Sequence, residues 1–357
     1  MKKIIYIRPG DIYVTPAFSR IIESKRLLDA PQVSIIVMQW LDEEPSKVEE
    51  GIRYLNYRGK RGLFGMLGWS LFVLRHLFAI APSYVHNFVF HNWFSIIIYK
   101  LLYPKKIHLF YDCRDYFGWS FSLSPTAKKV SIWLDRRFAS MCKEIIFPDK
   151  NGFVYFNTEA KKYTAIPNTV TDFLAGKSIE RTTKDGPIRL FYAGYLSNDR
   201  NIDAIIAAVK KYEHLELHIA SNYVSNKFDS AMLEDSRFVY HGKLTHQRVI
   251  EIMQQCDYCL IMYNAELENY RLIQPTKFYD SLMSNTPYIC AEGMEALKEY
   301  CGEDWPNLCL SYGDPDAFKD IEKPIVNTKN RQLYEAEYRY DTVLGAIATV
   351  YTRFLND

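Results

Sequence analysis

The sequence predicts an α/β protein of two domains, each built on a parallel sheet, and three observations carry that reading. The chain has 357 residues, more than twice the roughly 150 of an ordinary domain. Short apolar runs rich in β-branched and aromatic residues alternate with longer helical patterns, as in successive βα units. The polar stretch Gly176–Pro187 separates an earlier series of such units from a later one. Composition agrees, because 48% hydrophobic and 24% charged residues supply two cores and exclude disorder, collagen and coiled coil. A net charge of +2 leaves no broad basic footprint for nucleic acid.

In the first series, strands are expected at Lys3–Arg8, Val33–Trp40, Tyr84–Phe90, Ile107–Asp112 and Glu144–Phe147. Their near-continuous apolar character is that of strands covered on both faces. Helical patterns at Ser19–Leu28, Trp93–Leu102 and Lys128–Cys142 lie between them. The second series places strands at Ile188–Ala193, Leu215–Ala220, Phe238–Gly242, Tyr258–Met262, Tyr288–Ala291 and Leu308–Ser311. Helices Asn201–Tyr212, His246–Gln255, Lys277–Ser284 and Glu295–Tyr300 separate those strands. The chain closes with one long expected helix, Arg331–Leu355, carrying Tyr338, Val343, Ile347, Val350 and Tyr351 at near-helical spacing. Two open parallel sheets make a cleft at the carboxyl ends of their strands the default active site.

The seven cysteines are odd in number and lie mostly in apolar runs, which fits a reducing compartment. Cys256 and Cys259 have C-x-x-C spacing but lead into Leu260-Ile261-Met262, and no second pair stands at metal-site spacing. The apolar run Ile4–Ile7 is too short for a signal peptide, and no uncharged run reaches transmembrane length. Arg58-Gly59-Lys60-Arg61-Gly62 precedes an apolar run from Leu63 to Leu74 that Arg75 and His76 interrupt. Residues 58–80 admit two readings, a buried crossover helix or a helix on an anionic membrane surface.

The segment Gln274–Ile289 carries the most chemistry. Pro275 and Thr276 suit a helix entrance, with Thr276 the candidate N-cap, and free backbone N–H groups there favour a phosphate. Asp280, one turn on, suits sugar hydroxyls, and Asn285-Thr286-Pro287 ends the helix. After the first strand, Arg8-Pro9-Gly10-Asp11 is placed to line the cleft. His86 and His91 flank an apolar strand as packing residues, and Asp314-Pro315-Asp316 reads as a helix cap rather than a metal-binding Asp-x-Asp. No Gly-x-Gly-x-x-Gly follows a strand, against a dinucleotide site.

These segments resemble the GT-B glycosyltransferases, especially the family 4-like (group 1) enzymes that use nucleotide-sugar donors. In Gln274–Ile289 the residues Pro275, Lys277, Pro287 and Ile289 match, Asp280 stands where Glu is usual and Asn285 where Gly is usual. Phe191–Asp203 resembles the strand, loop and helix opening the donor domain: Gly194 allows close backbone approach, Arg200 matches the cation on the donor diphosphate, and Tyr195 replaces a frequent basic residue. Ile166-Pro167-Asn168 matches the entry to the hinge, and Cys256-Asp257-Tyr258 matches a strand start. The Phe238–Leu244 segment matches the loop whose backbone, here at Lys243 and Leu244, reads the base. Tyr111–Tyr116 matches an acceptor-side acidic element, with Asp115 preferred over Asp112, and Ser19-Arg20 resembles the start of the first helix. One departure is Leu272, which stands where the family's Glu-x7-Glu has its first Glu.

The resemblance implies a GT-B fold, two Rossmann-like domains facing a cleft: residues 1–172 on the acceptor side, 186–335 binding the donor, and 336–357 a helix crossing back. It implies transfer of a sugar from a nucleoside-diphosphate donor to a saccharide or lipid-linked saccharide during surface-polysaccharide assembly, with retention of configuration. The alternative is a catalytically weak carbohydrate-binding scaffold. Catalytic roles fall to Asp115 and Arg200. Donor binding falls to Gly194, Arg200, Lys243, Leu244, Thr276, Lys277 and Asp280, with Gly10 and Arg20 on the acceptor side. No cofactor, metal or nucleic acid is implied. The expected location is the cytoplasm, at the inner face of its membrane if residues 58–80 make the contact.

Overall fold

The computed structural model describes residues 2–12, 21–22, 33–41, 48–103, 107–158, 163–169, 171–177, 185–221, 234–325 and 327–355. Arg20 and nearly all of the expected helix Ser19–Leu28 lie outside the described residues. The chain divides into two compact units, Met1–Pro167 with Asp341–Asp357, and Asn168–Tyr340.

Unit 1 contains β1 (Lys2–Arg8), β2 (Val33–Trp40), β3 (Ile52–Tyr57), α1 (Leu63–Ile80), β4 (Tyr84–Asn87), α2 (Trp93–Leu102), β5 (His108–Asp112), α3 (Pro125–Ser140), β6 (Glu144–Phe147) and β7 (Tyr163–Ala165). Among the described residues its parallel sheet has the order β3-β2-β1-β4-β5-β6-β7, with Ile5 level with Ile36 on one side and Val85 on the other. Alternate residues serve opposite faces. Ile5, Ile7, Val85, Leu109 and Ile145 pack with Trp69, Trp93 and Phe138 from α1, α2 and α3. Ile4, Tyr6, Val37 and Phe110 pack with Val343, Ile347, Val350 and Tyr351 of the terminal helix. The edge strands β3 and β7 were not expected, since β3 is mostly half-buried and β7 has three residues. Helix α3 starts earlier than its periodicity suggests because Ser124 caps it, accepting from the Ala127 N–H, and Pro125 takes the first helical position.

Unit 2 contains β8 (Ile188–Ala193), α4 (Ile202–Lys211), β9 (Leu215–Ala220), β10 (Phe238–Gly242), α5 (His246–Met253), β11 (Tyr258–Ile261), α6 (Thr276–Ser284), β12 (Tyr288–Ala291) and β13 (Leu308–Leu310). Its parallel strands are ordered β10-β9-β8-β11-β12-β13 among the described residues. Connections leave β8 toward one edge and β11 toward the other, so a crevice opens beyond their carboxyl ends.

The single terminal helix expected over Arg331–Leu355 is broken. A helical turn at Lys329–Leu333 runs into a π-helical turn at Tyr334–Tyr338, Arg339 is extended (φ −53°, ψ 133°), and α7 spans Tyr340–Leu355. The reason is a change of partner: Tyr334 and Tyr338 are buried in the core of unit 2, while Val343, Ile347 and Val350 belong to unit 1. The Tyr351 hydroxyl lies 2.7 Å from His86 Nδ1. The His86 ring stacks on Tyr6 and Phe110, and its Nε2 is 3.4 Å from Asp112.

Beneath α3, Asp135 is fully buried and accepts a hydrogen bond from the Tyr155 hydroxyl at 2.9 Å. Burial pushes its carboxyl up to about 7, although hydrogen bonds from Tyr155 and Tyr111 favour the charge. The unfolded value is about 3.9, so the folded chain holds this proton between about pH 4 and 7. Stability is therefore lost as pH rises through that window. Asp135→Asn is expected to melt about 5 °C above the wild type at pH 8 and level with it near pH 4; thermal denaturation at the two pH values checks this.

Candidate functional site

The site grows from the loop after β8. Gly194 has φ +125°, a conformation that L side chains rarely adopt. A Cβ on it would lie 3.6 Å from Lys277 Nζ, so the ammonium sits over the loop backbone. Arg200 closes a short 3-10 turn, Asn198–Arg200. Its guanidinium carbon lies 3.8 Å from the centroid of Tyr263 and 4.7 Å from that of Tyr270. Arg200 Nη2 donates to the Tyr270 hydroxyl at 3.1 Å, which donates in turn to Asp199 at 2.8 Å. Ser197 also donates to Asp199. Lys277 Nζ lies 4.1 Å from the centroid of Tyr192 and 5.4 Å from that of Tyr263, and Tyr192 donates its hydroxyl to the Tyr195 carbonyl. Two cations thus share one tyrosine ring, that of Tyr263, held by ring quadrupoles with Asp199 as the acid beside Arg200.

This crowding shows in the ionisation. Burial first, then the Arg200 charge, pushes the Lys277 ammonium down to about 7. Burial disfavours the Asp199 carboxylate, but hydrogen bonds from Ser197 and Tyr270 and the Arg200 charge outweigh it and hold the group below its ordinary range. Two cations at the carboxyl ends of β8 and β11, beside the start of α6, suit a ligand bearing two negative charges.

At the start of α6 the structure corrects one expectation. Pro275, extended at φ −74° and ψ 161°, occupies the cap position, Thr276 is already helical, and no side chain caps the helix. Asp280, one turn on, is buried and its Oδ1 accepts from His246 Nε2 at 2.9 Å. Burial opposes the charge on His246, yet Asp280 raises its pKa overall. His246 is the first residue of α5, which Thr245 caps by accepting from the Arg248 N–H. Lys243 is exposed in the preceding loop, and Leu244 packs against the core of unit 2. Asn285, at the position of the family's Gly, has φ +53° and ends α6 in the left-handed region that Asn tolerates better than most residues. Its amide donates to the Asn327 carbonyl and its oxygen accepts from the Arg331 N–H.

In unit 1, Asp115 is exposed beyond β5, whereas Asp112 is fully buried with Arg114 Nε at 3.1 Å. Burial pushes Arg8 down to about 10 against the opposing charges of Asp115, Asp112 and Asp11. Gly10 has φ +133°, and a Cβ there would lie 3.8 Å from Arg8 Nε. The structure therefore brings together Gly194, Arg200 and Lys277 in unit 2, and Gly10 and Asp115 with Arg8 in unit 1. Tyr192, Asp199, Tyr263, Tyr270 and His246 were missed. The position of Tyr263 just after a strand was the one available signal. Among the described residues no group of three or more His, Cys, Asp or Glu is placed to hold a metal ion.

No family model matches this sequence, and no curated protein matches it. Solved structures do. Sucrose-phosphate synthase from Thermosynechococcus elongatus superposes with a TM-score of 0.73 at 11% identity, over 100% of both chains. HepE of Anabaena, solved in complex with UDP and glucose, gives 0.68 at 12% identity, over 99% of this chain and 100% of that one. WaaG, a glycosyltransferase involved in lipopolysaccharide biosynthesis, gives 0.66 at 10% identity, over 97% and 99%. These are GT-B glycosyltransferases, and the chain has the GT-B fold: two Rossmann-like units with a terminal helix that returns to the first.

A dianion bound here would restore the Lys277 charge. Pyrophosphate binding at pH 8 is expected to take up close to one proton, and at pH 6 almost none. Calorimetry in two buffers of different ionisation enthalpy measures this, and equal heats at pH 8 would remove Lys277 from the anion site. The folded value of about 7 lies below the unfolded value of about 10.4, so Lys277 destabilises the fold fully below pH 7 and ceases to do so above about 10. Lys277→Met is accordingly expected to abolish the proton uptake and to raise the melting temperature at pH 6.

Proposed function

We propose that the protein is a glycosyltransferase that moves a sugar from a nucleoside-diphosphate donor to a saccharide acceptor. The observation that carries this is the pair of cations, Arg200 and Lys277, held by tyrosine faces at the carboxyl ends of β8 and β11. As the glycosidic bond to the donor breaks, charge develops on the departing diphosphate. Fixed cations in a partly desolvated site stabilise it without reorganising at that moment. The complex of HepE with UDP and glucose supports a nucleotide in this kind of fold. Asp115, exposed on unit 1, is the group to orient or deprotonate the acceptor hydroxyl. Retention of configuration rests on the family resemblance. The scaffold reading rests on Leu272 in place of an acid and Tyr195 in place of a basic residue; calorimetry showing no binding of nucleoside diphosphates would favour it.

The acceptor is proposed to be lipid-linked, in surface-polysaccharide assembly at the cytoplasmic face of the membrane, with unit 1 resting on the bilayer. Only Trp69, Val73, Leu77 and Ile80 of α1 are buried. Phe64 is 87% exposed, Leu63, Leu67 and Leu71 are exposed with it, and on the adjacent α2 so are Phe94, Ile98 and Leu102, with Leu101 at 79%. Residues 51–111 contain no Asp or Glu but eight cations, Arg53, Arg58, Lys60, Arg61, Arg75, Lys100, Lys105 and Lys106. Apolar helices among cations without acids fit an anionic lipid surface.

A screen of nucleotide sugars by nucleotide release tests the activity. Arg200→Ala and Lys277→Ala are expected to lower kcat/KM by about 10²–10³ with little loss of melting temperature; wild-type turnover in both would refute the roles. The protein is expected to float with phosphatidylglycerol vesicles and not with phosphatidylcholine vesicles, and the double variant Phe64→Glu, Leu67→Glu to lose flotation while keeping donor hydrolysis.

A further inference from the structure

We infer that His246 takes a ribose hydroxyl of the donor and that Asp280 is the positioning residue that aims it. The inference rests on the nucleotide-sugar reading above. Asp280, the expected ribose ligand, has a side chain only 6% exposed, and Oδ1 is engaged by His246 Nε2 at 2.9 Å. The His246 side chain is 34% exposed. Its Nδ1 has no partner among the described residues, although the Phe173 ring packs edge-on with a centroid 5.3 Å away. The imidazole is therefore the more exposed end of the pair, with the carboxylate mostly buried behind it.

Position supports the assignment. His246 begins α5, directly after the loop that leaves the carboxyl end of β10, on the ligand-binding side of an open α/β sheet. Asp280 lies on α6 three residues beyond Lys277, a step of about 4.5 Å along the helix axis. Along a nucleotide, the ribose is the next group after the diphosphate. A ligand with its diphosphate at Lys277 and Arg200 brings its ribose to the level of Asp280 and His246.

The chemistry suits the task. A carboxylate on one ring nitrogen fixes the orientation of the imidazole and, in the neutral ring, its tautomer. With Nε2–H donating to Asp280, the neutral ring offers Nδ1 as an acceptor for a hydroxyl, and the charged ring offers Nδ1–H as a donor. Either form serves a ribose hydroxyl, which both donates and accepts. Asp280 contributes by holding the ring through Oδ1.

Calorimetry with pyrophosphate, UDP, ADP and GDP, and with the 2′-deoxy and 3′-deoxy forms of the tightest nucleotide, tests this. Wild type is expected to bind the ribonucleotide about tenfold tighter than one deoxy form. His246→Gln, whose amide keeps a donor toward Asp280 but lacks Nδ1, is expected to bring that ratio close to one with pyrophosphate affinity unchanged. Asp280→Ala should do the same, and Asp280→Asn, which still offers an oxygen to Nε2–H, should keep part of the ratio. Unchanged discrimination in His246→Gln, or none in wild type, overturns the assignment while leaving a nucleotide donor in place. Failure of every nucleoside diphosphate to bind wild type overturns the donor reading and this inference with it.

Discussion

The reversal of strand order between β8 and β11 is the constraint on which the proposed donor site depends. Parallel strands must be joined by crossovers, and where successive crossovers leave in opposite directions the flanking loops are pulled apart. In unit 2 that point is filled by the Gly194 loop, the Arg200 turn, Tyr263 and the start of α6. None of these could face the others if the sheet ran in one direction only. The same reversal between β1 and β4 in unit 1 places Arg8 at the carboxyl end of β1 and Gly10 just beyond it.

Within that crevice the physical difficulty is holding two cations side by side. Arg200 and Lys277 repel one another, and burial weakens both. Tyr192, Tyr263 and Tyr270 supply ring faces and hydroxyls instead of further acids, so the site keeps an excess of positive charge for its ligand. Acids in place of the tyrosines would neutralise the cations and leave little attraction for a diphosphate. The depressed Lys277 pKa follows from burial and from the neighbouring Arg200 charge. The aromatic excess of the composition finds one of its uses here. Most of the remaining tyrosines pack the two cores.

Unit 1 shows a different balance. One face of its sheet carries α1, α2 and α3, the other the terminal helix, and the His86–Tyr351 contact joins that helix to the sheet. The outer surfaces of α1 and α2 remain apolar in a stretch of sequence without acids. A helix that is apolar all round normally means burial on every side, and here only one side is buried within the described residues. That explains why residues 58–80 admitted both readings from sequence: periodicity reports apolar character and not what covers it.

The sequence by itself determined the two-unit α/β architecture, because strands buried on both faces must be apolar along their whole length. It also marked Gly194, Arg200, Lys277 and Asp280, which sit at short, fixed spacings on one strand–loop–helix or helix entrance. Short or half-exposed edge strands such as β3 and β7 lacked that signal. The terminal break at Arg339 was hidden because its cause is the change of core between Tyr338 and Val343, and a continuous helical period does not say which core each residue joins. Tertiary structure alone decided which groups meet. Tyr270 reaches Arg200 across 70 residues and His246 reaches Asp280 across 34, and such pairings follow from strand order, which local spacing does not encode.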